Sequence, residues 1–204
     1  MERIFDFIQI GSLVAFGALF VGWTIYLRAV RGVQAIHLSR GKPLGEALLE
    51  GLLMAVLPIF FYEALAVAWP LPWHIFPAPL YRVVVSGSAA RVAGCLLIVG
   101  SIALFAAALR AFGDSWRVGI DRDTPGKLAT GGVFARSRNP IFVFMDAFAV
   151  GLFLLNGRLL FGLFAVLTVV AIHFQIRREE IFLEERYGDE YRTYRKRSPR
   201  YLGW

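Results

Sequence analysis

Five apolar stretches, separated by polar or aromatic connectors, set the pattern of this chain: residues 7–27, 47–69, 92–109, 141–155 and 159–174. About 20 apolar residues are needed to cross a bilayer as a helix, so the first three read as membrane-spanning helices. The second carries Glu50, Pro58 and Glu63, and the third is broken only by Ser101. The last two are joined by Asn156, Gly157 and Arg158 and are short. Fifteen helical residues rise only ~22 Å against ~30 Å of hydrocarbon. From Leu159 to Tyr187 there is no Pro, and no Gly except Gly162. The fifth helix is therefore predicted to run on from lipid into polar sequence. The pattern predicts an all-α polytopic membrane bundle of about five transmembrane helices. The first apolar stretch has spanning length and no small-residue cleavage signature, so it is expected to remain as a membrane helix.

Composition agrees: of 204 residues, 57% are hydrophobic and 18% charged, against roughly 25% charged in soluble domains. The net charge of +7 raises the question of nucleic acid, and its distribution answers it. The first connector holds Arg28, Arg31, Arg40 and Lys42. The third holds Arg110, Arg117, Arg122, Lys127, Arg136 and Arg138, and the tail begins Arg177-Arg178. Alternate connectors thus carry 18 of the 22 Lys and Arg, which is positive-inside patterning. Residues 69–81 between them have no Lys or Arg and are rich in Trp and Pro. The expected topology is a multi-pass membrane protein with its N-terminus outside and its C-terminus cytosolic. The basic excess then serves orientation and anionic lipid, with the bilayer as partner and no nucleic acid. Cys95 is alone, and His37, His74 and His173 are too scattered for a zinc motif, so no metal is expected.

Two polar regions on the expected cytosolic side hold more residue choice than orientation requires. The third connector closes on Arg138-Asn139-Pro140 and then turns apolar. Asn139 reads as a helix N-cap with Pro140 at the first helical position. Free N–H groups at such a start suit a carboxylate or phosphate, and Arg138 would reinforce that. A capped membrane helix with an interfacial arginine is the plainer reading. In the tail, His173, Arg177, Glu180 and Glu184 fall along one helical face. Glu179 and Glu180 lie about one turn past the apolar part, where a carboxylate can accept from hydroxyls or an amine; a solvated, salt-bridged helix is the alternative. Glu63 and Asp146 sit inside apolar segments and should face the bundle interior or water. Asp146 follows Pro140 closely enough to join a substrate pocket there.

Two blocks carry a family likeness. The first is Lys127-Leu128-Ala129-Thr130-Gly131-Gly132-Val133-Phe134 followed by Arg138-Asn139-Pro140-Ile141-Phe142. The second joins Glu179-Glu180 and Leu183 to Tyr187-Gly188-Asp189-Glu190-Tyr191, Tyr194 and the closing Arg197-Ser198-Pro199-Arg200. Together, over about residues 112–204, they resemble the isoprenylcysteine carboxyl methyltransferases, within a wider group that includes phospholipid methyltransferases. The resemblance divides the chain into membrane helices 1–3 as scaffold (1–111) and a methyltransferase core (112–204). It implies a membrane enzyme that uses S-adenosyl-L-methionine. The cofactor site would be built by the connector before helix 4 and the helical tail: Gly126, Lys127, Leu128, Ala129, Phe134, Asn139, Pro140, Ile141, Phe142 and Glu179 or Glu180. Asn139 stands where the family more often has His, and Phe142 where it has Tyr. The arginine that meets a prenylcysteine carboxylate falls near Gln175 here, with Arg177 and Arg178 only nearby.

In-line methyl transfer from a sulfonium needs positioning and a dry site more than strong acid–base groups. Arg138 or Arg177 would orient an anionic acceptor, and His173 or Glu180 would take the proton of an amine. The acceptor, small or lipophilic, is expected to enter laterally from lipid, with Asp146, His173 and Gln175 as candidate contacts. Two alternatives compete: an NADPH-dependent sterol reductase-like enzyme with a similar tail, and a non-catalytic protein on the same scaffold. A soluble-type methyltransferase is excluded by the lack of a strand followed by a glycine-rich turn.

Overall fold

The computed structural model of the chain describes residues 2–32, 44–69, 71–116 and 126–203. His37, Arg40, Lys42, Arg117 and Arg122 lie outside them, as does the side chain of Glu50. Each of the five apolar stretches is a helix: α1 (Glu2–Arg31), α2 (Leu44–Ala68), α3 (Ser88–Phe112), α4 (Pro140–Asn156) and α5 (Leu159–Tyr187). A short α6 (Asp189–Arg197) follows Gly188, and one-turn 3₁₀ segments stand at Ala78–Tyr81, Gly113–Ser115 and Gly132–Ala135. No strand occurs among the described residues.

Three helices are long and apolar enough to cross a membrane, α1, α3 and α5; apolar Ala55–Ala68 and Pro140–Asn156 are shorter. As expected from its uninterrupted sequence, α5 runs unbroken for 29 residues, from apolar Leu159 into charged sequence. Large apolar side chains are exposed along it and along α3, among them Leu96, Val99, Val166 and Leu167. In water such a belt would be a liability; against hydrocarbon it is the expected outer surface.

Inside, α4 packs between α3 and α5, while α1 packs on α2 and α3. The core is aromatic: Phe16, Phe61, Phe105, Phe144 and Phe148 stack or tilt together with centroids 4.5–6.3 Å apart. The closest helix pair is α3–α4. A Cβ at Gly94 would stand 2.7 Å from the carbonyl oxygen of Gly151, and one at Gly151 would stand 2.8 Å from Ile98. Without a hydrophobic force between helices in lipid, such close backbone approach supplies the packing energy. It fixes where α4 begins, and so where its polar start lies.

The bundle has two unlike ends. One gathers the starts of α1, α3 and α5 with the Trp- and Pro-rich connector. There Gln9 donates to the Ala64 carbonyl and accepts from Asn156 Nδ2 at 2.9 Å. The other gathers the start of α4, the charged half of α5, α6 and the tail.

Candidate active site at the charged end

The polar start of α4 and the carboxylate of α5 meet in the protein interior. Glu180 is 8% exposed and Arg138 9%. Glu180 Oε1 accepts from Arg138 Nε at 3.2 Å, Arg138 Nη2 at 2.8 Å and Asn139 Nδ2 at 3.3 Å. Its Oε2 accepts from Arg200 Nε at 3.0 Å and Nη2 at 2.7 Å. Five donors from three residues saturate one carboxylate, the condition under which a buried charge is tolerated. Two guanidinium groups against one carboxylate leave the cluster net positive.

The tail is tied down by the same residues. Arg138 Nη1 also donates to the carbonyls of Ser198 and Arg195, the latter at 3.2 Å, and Arg138 N donates to Pro199 O at 2.8 Å. Asn139 Nδ2 reaches Arg200 O at 3.1 Å, and Ser198 Oγ donates to Ala135 O at 3.2 Å. Pro199 cannot continue a helix, so the chain leaves α6 and folds back across the start of α4.

Asn139 occupies the N-cap position expected of it, but its side chain makes no cap hydrogen bond. It points instead at Glu180 and the tail. Asn139 thus gives the first-turn N–H groups of α4 no side-chain cap, and the partial positive charge of the helix start adds to that of the guanidinium groups.

Beside this cluster lies an aromatic one. Phe134, Tyr191 and Tyr194 are buried together, with Phe112, Leu128, Ala129 and Tyr187 packed around them. Phe134 stands edge-on to Phe112 at 4.6 Å, and Tyr194 OH donates to Phe134 O at 2.7 Å. The Tyr191 hydroxyl lies beside the Arg138 guanidinium and makes no hydrogen bond of good geometry among the described residues. Burial, and then the Glu180 charge, push its phenol up to about 12. The connector is pinned to the same wall: Tyr187 OH donates to Gly126 O at 3.0 Å and Lys127 N to Ser115 Oγ at 3.2 Å. Gly126 has φ +77° and a Cβ there would press on Ser115, so only glycine suits that approach.

A third group joins α5, the tail and α4. His173 Nδ1 is 2.8 Å from Tyr201 OH, the rings 15° from parallel. Asp146 Oδ1 is buried without a hydrogen-bond partner among the described residues. Tyr201 is raised by burial first and next by the Asp146 charge, which puts this carboxylate within electrostatic reach of the phenol.

The structure thus joins Arg138, Asn139 and Pro140 to Glu180, and brings Gly126, Lys127, Leu128, Ala129 and Phe134 to the adjoining wall. Ile141 turns into the main core and Phe142 is half-buried. Glu179 is half-buried beside Glu180. Arg177 is exposed, Gln175 half-buried, and neither bonds to the cluster. Arg200, Ser198 and Tyr201 complete the site without having been singled out as site residues from sequence. The closing Arg-Ser-Pro-Arg run was the only signal for Ser198 and Arg200, and Tyr201 had none.

A sequence profile described as phospholipid methyltransferase matches residues 89–190, half of the chain. The chain belongs to the phospholipid methyltransferase family. As a member of it, the protein is a membrane methyltransferase by family. The match takes in α3, α4 and α5 with Arg138–Pro140, Glu179 and Glu180; Ser198, Arg200 and Tyr201 lie beyond it. It also begins upstream of residue 112, so α3, against which α4 is seated, belongs to the family region. No curated protein matches the chain.

Proposed function

We propose that the charged end of the bundle binds S-adenosyl-L-methionine and passes its methyl group to a small or lipid-like acceptor that enters from the bilayer. The observation that carries this reading is the buried meeting of the uncapped α4 start with the Arg138–Glu180–Arg200 cluster.

The residues present fit the cofactor's parts. A helix start with surplus guanidinium charge suits the methionine carboxylate. The aromatic and apolar wall of Phe134, Leu128 and Ala129 suits adenine. Glu179 is the carboxylate assigned to ribose hydroxyls, because Glu180 already meets five donors; Glu180 is then a positioning residue that aligns Arg138, Asn139 and the tail. When bound, the cofactor supplies an electrophilic methyl on a sulfonium.

The chain's own part is to orient the acceptor, exclude water and handle its proton. Burial of the tail over the α4 start keeps the site dry. A carboxylate or thiolate acceptor needs no base and would be oriented by Arg138 or Arg177. An amine or hydroxyl acceptor must lose a proton, and His173, hydrogen-bonded to Tyr201 near Asp146, is positioned to take it. Gln175 lines the same helix and is assigned no chemistry.

The test is S-adenosylhomocysteine binding to the detergent-purified protein, comparing wild type with Asn139→Ala, Glu179→Ala and Glu180→Ala. The proposal expects binding to wild type and loss in all three variants. No binding to wild type, with NADPH bound instead, would replace it with a reductase.

A further inference from the structure

The opposite end of the bundle contains a second polar cluster that methyl transfer does not use. Glu63 of α2 is fully buried. Its carboxylate accepts from the backbone N–H of Ile75, from Tyr81 OH at 2.7 Å and from His74 Nδ1 at 3.2 Å. With three donors it is satisfied, and it folds the Trp- and Pro-rich connector back onto α2. Burial, and then the hydrogen bond to Glu63, push the Tyr81 phenol up to about 12, so this clasp stays protonated over the ordinary pH range.

Beside the clasp is a cavity of about 360 Å³ lined by Ala66, Val67, His74, Phe76, Ala78, Tyr81 and Arg158. Arg158 is half-buried. One of its five N–H groups donates to Tyr81 O at 3.0 Å, and it meets no carboxylate among the described residues. With Nδ1–H turned to Glu63, the Nε2 of His74 is an acceptor left for a hydroxyl of the ligand, such as a P–OH or a headgroup alcohol. A half-buried guanidinium with spare donors, facing a cavity, is matched by a compact oxyanion. In the same connector Trp69, Trp73 and Ile75 are exposed, and Trp is a side-chain type that sits at headgroup depth.

We infer that Arg158, with His74 beside it, forms a binding site for a phosphate-type anion at the end of the bundle opposite the methyl-transfer site. Glu63 is engaged by its own three donors and orients His74. The anion comes either from a lipid headgroup, whose chains the apolar surface of α5 would receive, or from free phosphate.

The test titrates the detergent-purified full chain with dihexanoylphosphatidylglycerol and, separately, with inorganic phosphate. At least one is expected to bind wild type. Lipid alone identifies a headgroup site, and inorganic phosphate binding identifies the anion itself as sufficient. Arg158→Gln should weaken binding at least roughly ten-fold, as loss of a charge-assisted hydrogen bond does. Ala78→Phe, which puts a ring into the cavity and leaves the Arg158–Tyr81 hydrogen bond intact, should weaken it similarly, and it decides alone if Arg158→Gln fails to fold. S-adenosylhomocysteine binding should be unchanged in Ala78→Phe. Failure of both probes to bind wild type, or equal binding by Ala78→Phe, overturns the inference.

Discussion

Glu180 and Tyr191 are neighbours with opposite sensitivities. Glu180→Ala leaves the buried Arg138 guanidinium facing the part-exposed Arg200 with no carboxylate between them, a loss of about 3 kcal/mol or more for a broken buried pair. The variant should melt earlier in detergent, and its tail should be cut sooner by protease. Tyr191→Phe removes a hydroxyl that makes no hydrogen bond of good geometry and should change stability by no more than about 0.5 kcal/mol. Tyr194→Phe gives up the bond to Phe134 O and should cost about 1 kcal/mol. Tyr191 also predicts a pH effect. Its phenol is raised from 10.0 to about 12, so the folded state holds a proton that the unfolded chain releases. The associated stability is complete below pH 10.0 and falls as pH rises through about 12. Melting curves across that window should be flatter for Tyr191→Phe than for wild type. Much of this site was readable residue by residue: Arg138, Asn139 and Glu180 stand out because charged or capping residues border apolar runs. The role of Asn139 was not readable, since a capping residue type does not say where its amide points. Arg200 and Tyr201 were hidden because they lie in an irregular segment whose fold-back depends on contacts more than 60 positions away.

At the scale of elements, the α3–α4 contact governs where the α4 start lies. Gly94→Val or Gly151→Val would force side-chain atoms into backbone and should cost about 1–3 kcal/mol. S-adenosylhomocysteine affinity should fall with it, although neither glycine touches the site, while a valine at lipid-facing Gly100, where a Cβ meets nothing within 4 Å, should be silent. Thermal stability and ligand binding of the three variants check this together. Helix existence was legible throughout, because runs of apolar residues have few alternatives in lipid. The unbroken α5 was legible for the same reason that it forms: nothing in residues 163–187 breaks a helix. Which helices touch was not legible, as small residues at 94, 100 and 151 look alike in sequence and only two of them meet a neighbour.

For the whole molecule, charge placement predicts orientation. Alkaline phosphatase fused after residue 204 should be inactive and a fluorescent protein there bright, because the charged end is expected in the cytosol. Phosphatase inserted in residues 71–77 should be active; the reverse pair of results would invert the bundle. The two-ended architecture also separates tasks, with methyl transfer assigned to the charged end and anion binding to the aromatic one. The central claim is where the methyl donor sits, and ultraviolet crosslinking with methyl-tritiated S-adenosylmethionine tests it most directly. Mapped by peptide sequencing, the label is predicted within residues 126–142 and the 179–201 segment, and to vanish in Glu180→Ala. Label confined to residues 63–81, or none above a heat-denatured control, would contradict the account.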